Sequence, residues 1–73
     1  MKFRLIGLVY KKQSMYEEAL ECFWKLRNIV RHDPQTVYQI GQLYQFMNDA
    51  DQAIEWYYDF IYVYFKFYFN LSE

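Results

Sequence analysis

Apolar residues recur at three- and four-residue spacings along most of the chain. Leu20, Phe23 and Trp24 do so in one segment, and Ile40, Leu43 and Tyr44 in another. That period places them on one face of an α-helix. Four helices are predicted. The first runs from about Phe3 to Lys12. The second starts after Ser14, where Ser14-x-x-Glu17 fits a capping box: the hydroxyl takes one orphan N–H and the carboxylate another. It ends near Arg31-His32, basic residues suited to the negative end of a helix dipole. The third opens at Asp33-Pro34 and runs to about Met47. Asp33 can cap, and Pro34 sits at the first helical position, where its missing N–H costs nothing. Asn48-Asp49 forms a turn, and the fourth helix begins at Ala50 with acidic Asp51 in its first turn.

The same pattern occurs twice. Offset by 34 residues, the two halves align without a gap. Ile6-Gly7 falls on Ile40-Gly41, Tyr10 on Tyr44, Ala19-Leu20-Glu21 on Ala53-Ile54-Glu55, Phe23 on Tyr57 and Leu26 on Phe60. Gly7 and Gly41 lack a Cβ where two helices must approach closely, which compensates for the roughly 0.5–1 kcal/mol that glycine costs in a helix. Ala19 and Ala53 are expected to be the small partners on the second helix of each pair. Tyr10, Tyr44, Phe23 and Tyr57 are expected to fill the space between helices, as packing residues rather than sites.

A 34-residue period with this pattern resembles the tetratricopeptide repeat family, a helix–turn–helix unit. The resemblance implies an all-α chain: an α-solenoid fragment of two stacked helix-turn-helix tetratricopeptide repeats. Residues 1–34 would form the first repeat, 35–60 an incomplete second, and 61–73 an unmatched aromatic tail. Two repeats are fewer than the three or so usually needed for stability, so the isolated chain is expected to be marginal or to aggregate.

The tail departs from the pattern. The first repeat closes on Arg27-Asn28-Ile29-Val30-Arg31-His32-Asp33-Pro34, a polar helix end with a stop signal. Residues Ile61–Phe69 supply no such polarity, cap or proline. Nine of the chain's eighteen aromatic residues lie between Tyr57 and Phe69. An exposed segment of that kind is aggregation-prone. Two readings compete: a helix extension whose aromatics cover the open end of the solenoid, or translated non-coding sequence. The A/T-rich codons of Phe, Tyr, Lys, Asn and Ile favour the second. Asn70-Leu71-Ser72 matches a glycosylation sequon, read as idle because no signal peptide accompanies it.

Composition narrows the chemistry. The 73 residues are 55% hydrophobic and 23% charged, with a net charge of −1, one cysteine and one histidine. A single Cys22 forms no internal disulfide, and no Cys/His cluster suggests structural zinc. A near-neutral balance argues against a dedicated nucleic-acid binder. Lys2 and Arg4 give a basic start, but Lys11-Lys12 cuts the short apolar run Leu5–Tyr10 before any cleavage site. The apolar stretch Phe60–Phe69 contains Lys66 and is half the ~20 residues a spanning helix needs. His32 has no Ser, Cys or second His at a triad or metal spacing and reads as a solvated helix-end residue. Cys22 reads as a small core or groove residue, and Glu17, Glu18 and Glu21 with Lys25 as an ordinary charged face. No glycine-rich phosphate loop is present. Neither catalysis, a cofactor, a metal nor a small-molecule substrate is expected.

What remains is surface for protein binding. Tetratricopeptide stacks present the first helix of each pair to a concave groove. By resemblance, Arg4, Leu8, Lys11 and Lys12 would face it from the first repeat, and Tyr38, Gln42, Gln45 and Phe46 from the second. The family's chaperone-binding members hold a terminal carboxylate with a basic residue followed four later by Asn. Here Arg4 is followed by Leu8, and Tyr38 by Gln42, so that clamp is not supported. Residues 1–34 hold seven basic and four acidic residues, and 35–73 one basic and five acidic. A basic first repeat could prefer an acidic partner, but a solvated face explains the asymmetry equally well.

Three segments go beyond the generic repeat: Glu18-Ala19-Leu20-Glu21-Cys22-Phe23-Trp24-Lys25-Leu26, Val37-Tyr38-Gln39-Ile40 and Gln52-Ala53-Ile54-Glu55-Trp56. They resemble the tetratricopeptide subunits of the intraflagellar transport B particle. This implies a non-catalytic scaffold in the ciliary transport train, partnered by other transport subunits, in the cytoplasm, at the ciliary base and in the cilium. The alternatives are a tetratricopeptide adaptor of a ubiquitin-ligase or chaperone assembly, and a membrane-surface peptide acting through the aromatic tail.

Overall fold

A computed structural model describes residues 2–31 and 33–69. The expectations for His32 and for Asn70-Leu71-Ser72 lie outside the described residues. Four helices follow one another: α1 (Lys2–Lys12), α2 (Tyr16–Ile29), α3 (Pro34–Phe46) and α4 (Ala50–Phe69), with no strand among the described residues. The chain is all-α, as the periodicity requires. α1 packs on α2, α3 packs on α4, and α2 packs on α3, so two helical hairpins stack side by side.

The fully buried core is the junction between the hairpins. Ala19, Phe23 and Leu26 of α2 meet Ile40 and Leu43 of α3, with Leu8, Tyr10, Tyr16, Tyr44 and Trp56 at the margin. These are the positions the apolar period selects. Gly7 and Gly41 are buried, as their close-approach role demands, but the neighbour each one admits differs from the expectation. A Cβ on Gly7 would sit 2.8 Å from Cε2 of Phe23, and one on Gly41 2.9 Å from Cε1 of Tyr57. The glycines therefore make room for the aromatic four residues after the alanine, and Ala19 and Ala53 are themselves buried.

The turns repeat at the same 34-residue offset. Ser14 and Asn48 both take the left-handed conformation, with φ of 61° and 62°. The N–H of Ser14 donates to the carbonyl of Lys11 (3.0 Å) and that of Met15 to Tyr10 (2.9 Å). Asn48 and Asp49 make the same pair of bonds to Gln45 (3.0 Å) and Tyr44 (2.9 Å). Each pair is a Schellman closure of the preceding helix. The expected capping box at Ser14 is thereby corrected. Ser14 ends α1 and does not start α2, whose N-cap is Met15 with no side-chain hydrogen bond. In the second hairpin Asp49 stands at the corresponding place, and its Oδ1 accepts from the N–H of Gln52 at 3.3 Å. α2 also ends earlier than the basic pair suggested, at Ile29 with Val30 as C-cap.

α3 starts as expected. Pro34 occupies the first turn, and Oδ1 of Asp33 accepts from the N–H of Gln35 at 3.2 Å. α4 runs without a break through residues 61–69. Val63 is buried, and the Phe60 ring packs 5.4 Å from Tyr38 of α3. Beyond that point Tyr64, Phe65, Tyr68 and Phe69 are exposed, with Tyr64 tilted against Tyr68 and Phe65 stacked on Phe69. No helix among the described residues is long and apolar enough to cross a membrane.

Two substitutions check this architecture. Gly7→Ala gains helix propensity of about 0.5–1 kcal/mol but drives a methyl into a buried ring, and overpacking costs about 1–3 kcal/mol. A lower denaturation midpoint is expected, and a smaller loss for Gly41→Ala, because the Tyr57 ring is only half-buried and can shift. Ser14→Gly removes the left-handed penalty and is expected to stabilise the chain by up to about 1 kcal/mol in urea titration. Asn48→Gly should gain less, since asparagine tolerates that conformation better than serine.

Candidate functional site

α1 and α3 lie where two cations of α1 can reach across to the second hairpin. Nζ of Lys11 donates to Oε1 of Gln39 and to Oε1 of Gln42, each at 2.7 Å. Nη2 of Arg4 donates to Oδ2 of Asp33 at 2.7 Å. The first bridge crosses the middle of α3. The second fastens its start.

The Asp33 carboxylate is a hub. It caps α3, it pairs with Arg4, and its Oδ2 also accepts from the hydroxyl of buried Thr36 at 2.9 Å. Arg4 is thus engaged in holding the two hairpins together. Leu8 is half-buried at the core margin. Lys11 is half-buried, and desolvation, then repulsion from Lys12, lowers its pKa. A carboxylate brought beside it would offset both effects. Lys12 is exposed.

From α3, Gln42 joins Lys11 directly. Each glutamine keeps its amide NH2 as a donor while its oxygen accepts from the lysine. Tyr38 is exposed and its ring packs 5.8 Å from Tyr57 and 5.4 Å from Phe60. Gln45 is exposed and accepts from the Tyr57 hydroxyl at 2.7 Å. Phe46 is exposed and its ring tilts against Tyr16 at 5.5 Å. The eight positions therefore fall into separate groups. Lys11 and Gln42 meet. Tyr38 and Gln45 converge on Tyr57. Arg4 goes to Asp33, Phe46 to Tyr16, and Lys12 stands at the helix end.

Three participants were absent from the expected set: Gln39, Asp33 and Tyr57. Gln39 precedes Gln42 by three residues, so the helical period alone would have put it on the same face. Asp33 was assigned only as a cap. Burial, then the neighbouring Tyr38, raises the Tyr57 pKa. Stability contributed by this phenol is fully present below its ordinary pKa and is lost as pH rises through the folded-state value.

The opposite side of the molecule carries aromatic and ionic contacts between α2 and α4. Trp24 meets Trp56 edge-on at 5.4 Å, the Arg27 guanidinium lies 5.0 Å over the Trp56 ring, and Arg27 reaches Asp59 at 3.8 Å. Cys22 is free and half-buried, and burial is the largest influence raising its pKa, which disfavours the reactive thiolate. Among the described residues no three His, Cys, Asp or Glu side chains gather as a metal site. What the α1–α3 face offers is a lysine and two amides between helices, flanked by exposed aromatic rings. Such a surface can hydrogen-bond an extended chain and accept an acidic side chain.

A tetratricopeptide repeat is found at residues 34–67, one full 34-residue unit. It begins at Pro34 and takes in the start of the aromatic segment. No curated protein and no solved structure matches the chain.

Asp33→Ala removes the α3 cap, the Arg4 partner and the acceptor of the buried Thr36 hydroxyl together. A loss of about 1–3 kcal/mol in urea titration is expected. Asp33→Asn keeps the capping oxygen and gives up the charge, so it is expected to lose less.

Proposed function

We propose that the chain is a non-catalytic protein–protein interaction scaffold that binds through the α1–α3 face. The observation that carries this is the bridge from Lys11 to Gln39 and Gln42, which sets a cation and two amides in a row across both hairpins. The tetratricopeptide repeat at residues 34–67 supports it, because repeats of this kind generally mediate contacts between proteins. The desolvated Lys11 favours an acidic partner segment, with Tyr38 and Phe46 as aromatic contacts. Tyrosine and phenylalanine are enriched in such contact surfaces.

The narrower reading is a polaris-type subunit of the intraflagellar transport B particle, acting in cilium assembly from the ciliary base and along the cilium. Its support is the resemblance in Glu18–Leu26, Val37–Ile40 and Gln52–Trp56. Cys22, Tyr38 and Trp56 in those segments are half-buried or exposed, and none belongs to the fully buried core that repeat packing requires. The comparisons with known proteins add nothing to this narrower step.

Immobilised chain incubated with purified transport B subunits tests both levels. Retention of a subunit, reduced at least tenfold by Lys11→Glu with helicity unchanged in circular dichroism, is the expected outcome. Retention that Lys11→Glu leaves intact would remove the α1–α3 face from the interaction. Failure of every transport subunit to bind would defeat the ciliary assignment.

A further inference from the structure

The internal junction between α2 and α3 is built from two half-surfaces, and the 34-residue repeat prints each half a second time at an end of the molecule. On α3 the half is Ile40, Leu43 and Tyr44. Its counterpart on α1 is Ile6, Val9 and Tyr10. Ile40 and Leu43 are 0% exposed, whereas Ile6 is 39% and Val9 55% exposed, because no described helix covers them. Leu5, Ile6, Val9 and Tyr10 together line a shallow apolar hollow. On α2 the half is Ala19, Phe23 and Leu26, with Leu20 packed against it. Its counterpart on α4 is Ala53, Tyr57 and Phe60, with Ile54, and Ile54, Tyr57, Tyr58 and Ile61 line a second apolar hollow. Each of these replacements keeps an apolar or aromatic residue.

Charge points the same way. With Arg4 and Lys11 tied to the second hairpin and Asp59 to Arg27, α1 still carries Lys2 and Lys12 and no acidic residue, while α4 still carries Asp51 and Glu55 against Lys66. The Tyr16–Phe46 ring contact that joins α2 to α3 maps onto Ala50 and Lys12 at the ends, with Asp51 next to Ala50. A lysine of one molecule and an aspartate of another thus take the place of a ring pair.

We propose that the chain associates head to tail with a second copy of itself, the α1 face of one molecule seated on the α4 face of the next in the register of the α2–α3 junction. The contact is heterologous, so it leaves a free face at each end and adds further copies. Repeats that touch only their neighbours gain stability from each added junction, so association and folding are coupled.

The test uses two variants of the full chain. Leu5→Lys/Val9→Lys blocks the head, and Ile54→Lys/Ile61→Lys blocks the tail. All four positions are about half or more exposed, so the fold should survive, and circular dichroism checks it. Sedimentation velocity across a concentration series is expected to show open-ended association of the unmodified chain and at least tenfold weaker association of each variant. Mixed together, the two variants should form a 1:1 dimer and stop, because one intact tail meets one intact head. Self-association that persists in either variant alone would overturn the proposal in favour of like-to-like contact or aggregation through Tyr64–Phe69. A monomeric unmodified chain, or a mixture that forms no dimer, would overturn it as well.

Discussion

Two helices can lie against each other only as closely as their bulkiest facing groups allow, and in each hairpin that limit is set by one ring over one glycine. Phe23 covers Gly7 and Tyr57 covers Gly41, at separations that no Cβ would permit. The ring buries its face on bare backbone, which lets α1 approach α2 and α3 approach α4. Once Phe23 is fixed there, its remaining edge and its neighbours Ala19 and Leu26 form the floor on which Ile40 and Leu43 settle. The packing inside the first hairpin therefore presents the surface that receives the second.

Polar groups then fix the angle at which the hairpins meet. Asp33 lies at the hinge point between α2 and α3, and its carboxylate serves a backbone N–H, a hydroxyl and a guanidinium. Because Arg4 comes from α1, the cap of α3 also reports the position of the other hairpin. Lys11 adds a second tie one helical length further along. Both ties use charge-assisted hydrogen bonds, which are shorter and stronger than neutral ones. They add directional bonds to a junction that apolar packing has already closed.

Most of the fold was legible in the chain. The three- and four-residue period gave the helices, and Asp33-Pro34 gave the start of α3, because capping and a first-turn proline are local events. Ser14 was misread for an instructive reason. A serine three residues before a glutamate fits a helix start, yet the same short polar side chain also tolerates the left-handed turn that ends a helix. The 34-residue offset held the answer, since it sets Ser14 on Asn48, a residue type at home in that conformation. The site was less legible. That Arg4 goes to Asp33 and Lys11 to Gln39 and Gln42 depends on the stacking of one hairpin on the other, across 28 to 31 residues of sequence. No local pattern carries such a distance. The aromatic segment shows the reverse case: its composition breaks the polar ending of the first unit, but Phe60 and Val63 still fall on the buried side of a continuing helix.

The chain has two tryptophans, Trp24 in the first hairpin and Trp56 in the second, held edge to face at 5.4 Å with the Arg27 guanidinium over the second ring. Neither indole has a tryptophan neighbour within its own hairpin. The near-ultraviolet exciton signal and emission of this chain are consequently optical readings of the joint between hairpins. A state in which each hairpin persists but the joint has opened would keep its helical signature and lose that coupling.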